Sequence, residues 1–256
     1  MNPDELLEIA LDLVAKGAAQ GVTLRLLGSL AVRAHTQGTS KLIDLLQRVP
    51  THDIDFMGYS KEQVNTDRMF KNLGYEPDPS VAFSQEYGIQ RLIYHDRAQG
   101  IMAEIFQDKL RMAHTLDFLG RLELDSPTIS LVDLLLSKLQ IQQITEKDIK
   151  DMIALLAEHW LGSGDREKVN INYLLKLTSD DWGLYYTVKN NLSVVREWVG
   201  RMEVLDASVR QDVDAKLEDM INRIEAEPKS TRWKLRAKIG TRVRWYEEVG
   251  DVRHSY

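Results

Sequence analysis

Apolar positions recur at helical spacing over residues 3–19, at Leu6, Ile9, Ala10, Leu13 and Val14, behind an opening Pro3-Asp4-Glu5. Proline suits a first helical turn and acids favour its positive end, so the pattern predicts a helix that stops at Gly17 and Gly21. Val22 to Leu27 reads as a short β-like run closed by Gly28-Ser29, and Leu30 to Thr36 as a helix. Residues 37–40 read as a loop, and an amphipathic stretch from Leu42 to Leu46 leads to Pro50. From His52 to Met57 the period drops to two. Ile54 and Phe56 face one way on the resulting strand, and Asp53 and Asp55 the other. Residues 61–73 return to the helical period and end at Gly74, with Pro77 and Pro79 marking a loop. Ile89 to Tyr94 and Ile101 to Phe106 form two more strands around a turn at 96–100. On the second, Ile101, Ala103 and Ile105 share one face, and Met102, Glu104 and Phe106 the other.

Beyond residue 126 only the helical period remains. Ser130–Ile141, Glu146–Trp160, Val169–Leu177, Trp182–Val199, Ser208–Ala226 and Arg232–Val249 all fit helices, with joints at Ser126-Pro127-Thr128 and Gly162-Ser163-Gly164. The chain therefore reads as α+β, with a mixed sheet and flanking helices over 1–125 and a helical domain over 126–256.

Composition narrows the class. The chain has 256 residues, 43% of them apolar and 28% charged, enough to build a soluble core. It has no cysteine, which removes disulfides, thiolate chemistry and Cys-based zinc sites and makes a reducing cytoplasm the natural home. No run of 18 apolar residues is present, so no membrane partner is expected, and the acidic start argues against a signal peptide. A net charge of −6 does not suggest a general nucleic-acid binder. The charge is uneven, however. From Lys229 to Arg244 there are seven Lys or Arg and no acid, interleaved with Trp233 and followed by Trp245 and Tyr246. Such a segment can hold an RNA acceptor, or it can pack its aromatics inward and turn its cations to water.

The candidate chemistry is carboxylate chemistry. Asp53 and Asp55 lie on one strand face with Cα atoms about 6.5–7 Å apart. Glu104, on a second alternating strand, is the natural third ligand, with Asp108 as a substitute. Hard cations such as Mg²⁺ take oxygen ligands and share their coordination with substrate phosphates, and one carboxylate can act as general base. Gly28-Ser29, between a β-like run and a helix, is placed to approach phosphate oxygens with backbone N–H groups. The six histidines show no metal-binding spacing, and His52 alternates to the core side.

The succession Leu27-Gly28-Ser29, Asp53-Ile54-Asp55 and Ala103-Glu104-Ile105 resembles the nucleotidyltransferases of the DNA polymerase beta superfamily. Leu131 to Lys138, followed by Glu146-Lys147-Asp148-Ile149-Lys150-Asp151, is similar to the Lys and Lys-Asp helices of the abortive-infection type nucleotidyltransferase toxins and their uncharacterised relatives. The similarity covers roughly residues 24–156. It implies a nucleotidyltransferase-like N-terminal domain in which Asp53, Asp55 and Glu104 are catalytic and hold two Mg²⁺ ions, with Mn²⁺ as an alternative. It also implies that Gly28, Ser29, Lys138, Lys147 and Asp148 serve an NTP. On the residues alone, Lys138 can equally snorkel from a core helix. Arg48 stands five residues before Asp53, where toxin-type relatives place an Arg four before it. The implied acceptor is a hydroxyl on RNA, protein or a small molecule, and an antitoxin partner follows by analogy. A non-catalytic nucleotide-sensing or protein-binding module on the same fold is the alternative.

Overall fold

In a computed structural model the described residues are 2–36, 53–79 and 91–248. The expected loop at 37–40, the Leu42–Leu46 stretch, Arg48, Pro50, His52, the start of a strand at Ile89 and the end of the last helix at Val249 lie outside them.

Helix α1 (Pro3–Ala19) starts with a capping box: Asn2 accepts the Asp4 N–H while Glu5 accepts the Asn2 N–H, and Leu6, Leu7, Ala10, Leu13 and Val14 are buried. Strands β1 (Arg25–Leu26), β2 (Asp53–Gly58), β3 (Glu76–Pro77), β4 (Arg91–Asp96) and β5 (Ile101–Gln107) form one sheet in the order β1-β2-β5-β4-β3. β2 and β5 run parallel, and the other neighbours are antiparallel. The expected strand over Val22–Leu27 narrows to Arg25–Leu26 because the chain turns into helix α2 (Gly28–His35) directly after it. The outer edge of β1 is covered by the segment expected to be a joint. The Leu26 N–H donates to the Pro127 carbonyl at 2.9 Å, and the Ile129 N–H to the Leu26 carbonyl at 3.0 Å. Pro77, expected in a loop, sits in the edge strand β3, where a missing N–H is tolerated.

Register gives the sheet two chemically distinct faces. Ile54, Ala103 and Tyr94 align across β2, β5 and β4 and are all buried, and helix α3 (Gln63–Asn72) stacks Phe70 on Tyr94 at 4.4 Å between ring centres. The opposite face carries Asp53, Asp55 and Glu104.

The chain continues through a hairpin, β6 (Lys109–Arg111) and β7 (Thr115–Asp117), which the apolar pattern did not announce. Helices α4 (Leu131–Leu139) and α5 (Glu146–Glu158) follow. Trp160 is not helical, contrary to expectation. β8 (Trp160–Gly162) pairs in parallel with β9 (Lys168–Asn170), so the Gly-Ser-Gly run connects two strands. The helix ends because His159 takes an extended conformation and because Leu161 and Val169 are register partners. Helices α6 (Ile171–Asp180), α7 (Trp182–Arg201), α8 (Ala207–Ala226) and α9 (Thr231–Ile239) complete the described chain. The last is shorter than the expected Arg232–Val249, since Gly240 adopts φ 62°, a conformation that favours glycine.

Among the described residues one apolar cluster runs from Leu6 on α1 to Ile224 on α8. Arg121 adds a polar tie. It donates to both Asp133 oxygens at 2.9 and 3.0 Å and lies over the Tyr173 ring at 3.4 Å.

Candidate active site

Three side-chain rows cross the acidic face of the sheet. Asp53 is register-paired with Met102 and then His95, Asp55 with Glu104 and then Ile93, and Met57 with Phe106 and then Arg91. Paired residues on adjacent strands point to the same face, with strands about 4.8 Å apart. Asp55 and Glu104 are therefore direct neighbours, and Asp53 is one row away. All three expected acids lie on one face. Alternation within each strand fixed the facing, and the parallel register fixed the pairing.

Helix α2 delivers its N-terminus to the same place. The Leu27 N–H donates to the Asp55 carbonyl at 2.9 Å, which lays the turn against β2. Gly28, the first residue of α2, has φ +70°, and a Cβ there would stand 2.5 Å from Asp55 Oδ2. No side chain larger than hydrogen fits without moving that carboxylate. Leu27 at the N-cap offers no side-chain hydrogen bond to the first turn, and Ser29, partly exposed, is the next residue. First-turn N–H groups and the positive end of the helix dipole thus stand beside Asp55.

Glu104 is buried, 7% exposed, and its Oε1 accepts from Arg91 Nη1 at 2.8 Å. The Arg91 Nε is buried and makes no hydrogen bond among the described residues. Asp108, the substitute third acid, is committed elsewhere. It sits just past β5 with φ 60°, and its Oδ1 accepts the Ser60 N–H at 3.0 Å. Four strand residues from Glu104 is roughly 13 Å. The geometry therefore puts Glu104, not Asp108, beside Asp55.

The helical residues form a second polar cluster. Lys138, 7% exposed, lies 2.7 Å from Asp151 Oδ2 and 3.3 Å from Asp148 Oδ1. Asp148 also caps its own helix, accepting the Thr145 N–H at 3.0 Å. Burial pushes the Asp148 carboxyl up, but the Lys138 charge and the Thr145 hydrogen bonds outweigh it and leave it below its ordinary value. Lys147 is exposed in the first turn of α5. Both α4 and α5 pack against α2, the helix that faces Asp55.

The acidic face suits a hard divalent cation in its donor chemistry, since Asp53, Asp55 and Glu104 all offer carboxylate oxygens there. Asp53, Asp55 and Glu104 are the residues that would hold one. Among the described residues no three His, Asp or Glu side chains are gathered at metal-ligating distance.

The basic C-terminal segment turns its aromatics inward. Trp233 meets Tyr185 edge-on at 5.0 Å, and Trp245 donates to Thr187 Oγ1 at 3.1 Å. Helix α9 itself buries no residue. Among the described residues no helix is long and apolar enough to cross a membrane.

Arg91 escaped the sequence reading, and Asp151 stood in it only as the end of the 146–151 run, with no role. Arg91 alternates onto the acidic face, and the 96–100 turn places Ile93 opposite Glu104, so a hairpin count would have found it. Asp151 lies three residues after Asp148, one helical turn on, on the side that meets Lys138. Comparisons of the chain with protein-family models, with curated proteins and with solved structures return no match.

Proposed function

We propose that the chain is a metal-dependent nucleotidyltransferase of the DNA polymerase beta type. It transfers a nucleoside monophosphate from an NTP to a hydroxyl on RNA, protein or a small molecule. The acceptor oxygen bonds to the α-phosphorus, the bond from that phosphorus to the bridging oxygen breaks, and pyrophosphate leaves. The observation that carries this reading is the pairing of Asp55 with Glu104 across parallel strands, with Asp53 one row away and Gly28 against the Asp55 carboxylate.

In this reading the first-turn N–H groups of α2 and the Ser29 hydroxyl bind the β- and γ-phosphate oxygens. Gly28 lets the phosphates approach the backbone. Glu104 takes the proton of the acceptor hydroxyl. Lys147 offers a phosphate contact from the start of α5, while Lys138 and Asp148 brace α4 and α5 against α2. Two Mg²⁺ or Mn²⁺ ions held by Asp53, Asp55 and Glu104 would supply charge neutralisation of the triphosphate and acidify the acceptor hydroxyl. A cysteine-free composition fits the reducing cytoplasm in which such an enzyme would meet its NTP.

The test incubates purified protein with each labelled NTP, Mg²⁺ and total cell RNA or lysate, beside Asp55→Ala. Label transfer that the variant loses supports the reading. Absence of transfer together with absence of Mg²⁺-dependent NTP binding sinks it. The grip of Arg91 on Glu104 favours a second reading, a non-catalytic nucleotide-sensing or protein-binding module on this fold. That reading predicts NTP binding indifferent to divalent cations.

A further inference from the structure

We propose that Arg91 is a positioning residue that holds Glu104 in the resting protein and gives it up only when a triphosphate takes over the guanidinium. The inference rests on the nucleotidyltransferase reading and adds a reason why cation and nucleotide must arrive together.

Three observations support it. Arg91 and Glu104 are diagonal neighbours on antiparallel strands, Arg91 facing Phe106 and Glu104 facing Ile93, so the two side chains share the acidic face. Their contact is direct, 2.8 Å between Nη1 and Oε1, with both side chains largely buried. The grip is also incomplete, because the buried Arg91 Nε makes no hydrogen bond among the described residues. A guanidinium carries five donors in a planar fork that matches carboxylate and phosphate oxygens alike. A buried donor without an acceptor is costly, and an incoming phosphate oxygen would relieve that cost.

Charge then couples the two ligands. A cation that draws Glu104 away leaves the Arg91 charge uncompensated and close to itself, so a divalent ion alone binds against repulsion. A triphosphate supplies the replacement anion. Cation and nucleotide each raise the affinity of the other by the same factor, as linkage requires. Arg91 already engages Glu104 Oε1 at 2.8 Å.

The experiment measures Mn²⁺ binding by the electron paramagnetic resonance signal of the free ion, with and without a non-hydrolysable NTP, each titration corrected by a protein-free control for the Mn²⁺ that the nucleotide itself chelates. It uses wild type, Arg91→Gln, Arg91→Lys and Asp55→Asn, each checked for native circular dichroism. For wild type, nucleotide should tighten Mn²⁺ binding by about tenfold, within the usual range of coupling. Arg91→Gln should bind Mn²⁺ alone several-fold more tightly and lose most of the nucleotide effect. Arg91→Lys, which keeps the charge, should retain part of the coupling and covers the case in which Arg91→Gln does not fold. If wild type binds Mn²⁺ in an Asp55-dependent way and Arg91→Gln binds it no more tightly, the holding role is wrong while the ion site stands. If no variant binds Mn²⁺ with or without nucleotide, the nucleotidyltransferase reading itself fails.

Discussion

A single methyl group at Gly28 probes the contact on which the site is built. Alanine there carries two separable costs. One is the backbone: φ +70° is the left-handed region, about 1–2 kcal/mol unfavourable for an L side chain. The other is the approach of the new Cβ to Asp55 Oδ2, at 2.5 Å where roughly an ångström more is needed. Asp55 has only two torsions with which to retreat, and overpacking of this kind costs about 1–3 kcal/mol. Gly21 separates the two costs, because it has the same φ of +70° and a Cβ added there would meet nothing within 4 Å. Gly21→Ala should therefore lose about 1–2 kcal/mol and Gly28→Ala about 2–5 kcal/mol, the latter a melting shift of roughly 4–20 °C at this chain length. Removing the carboxylate should restore the difference: in a double-mutant cycle, Gly28→Ala should be milder by about 1–3 kcal/mol in an Asp55→Ala background. Urea unfolding followed by the fluorescence of the five tryptophans reads every variant. Equal losses for Gly21→Ala and Gly28→Ala, with no coupling to Asp55, would refute the close approach and remove the cradle from the site.

Two further outcomes follow from the polar interior. Lys138→Met leaves Asp148 and Asp151 facing each other without their cation and should cost about 3–5 kcal/mol in urea unfolding. Adding Asp151→Asn should recover part of that loss, and a change below about 0.5 kcal/mol in the single variant would show that the pair is not buried as described. His35 gives a pH dependence. Burial, and then the neighbouring His159 ring at 5.4 Å, push its pKa from 6.5 down to about 4. The neutral ring is the native form, so its contribution is complete above pH 6.5 and is lost as the pH falls towards about 4. The full loss is about 3 kcal/mol. His114, also lowered by burial, acts in the same direction. His35→Gln should flatten the fall in urea midpoint between about pH 7 and pH 4.5 to the part that His114 contributes, and an unchanged slope would exclude His35 as its source.

Much of the site was legible because strand alternation is a local rule. The facing of Asp53 and Asp55 away from Ile54 and Phe56, and of Glu104 away from Ala103 and Ile105, follows from side chains pointing to opposite faces in turn. The helices with strong apolar period were legible for the same kind of reason, as with α1 and its capping box. Short elements were not. The hairpin of β6 and β7 and the parallel pair of β8 and β9 have three residues per strand, too few for a period to register against turns and glycines. Trp160 looked like a continuation of α5 because its spacing fits a helix, and only the pairing across to Lys168 takes it out.

The chain by itself determined which residues alternate, where the strongly periodic helices start, and that three acids take the polar face of their strands while a Gly-Ser turn opens a helix. Tertiary structure decided which of them meet. The parallel register of β2 and β5 puts Asp55 opposite Glu104, the return of α2 to β2 presses Gly28 on the Asp55 carboxylate, and the β4 hairpin brings Arg91 to Glu104. Facing is set residue by residue along one strand. Meeting depends on strand order and on contacts far apart in sequence, where a one-residue slip would turn every acid to the other face.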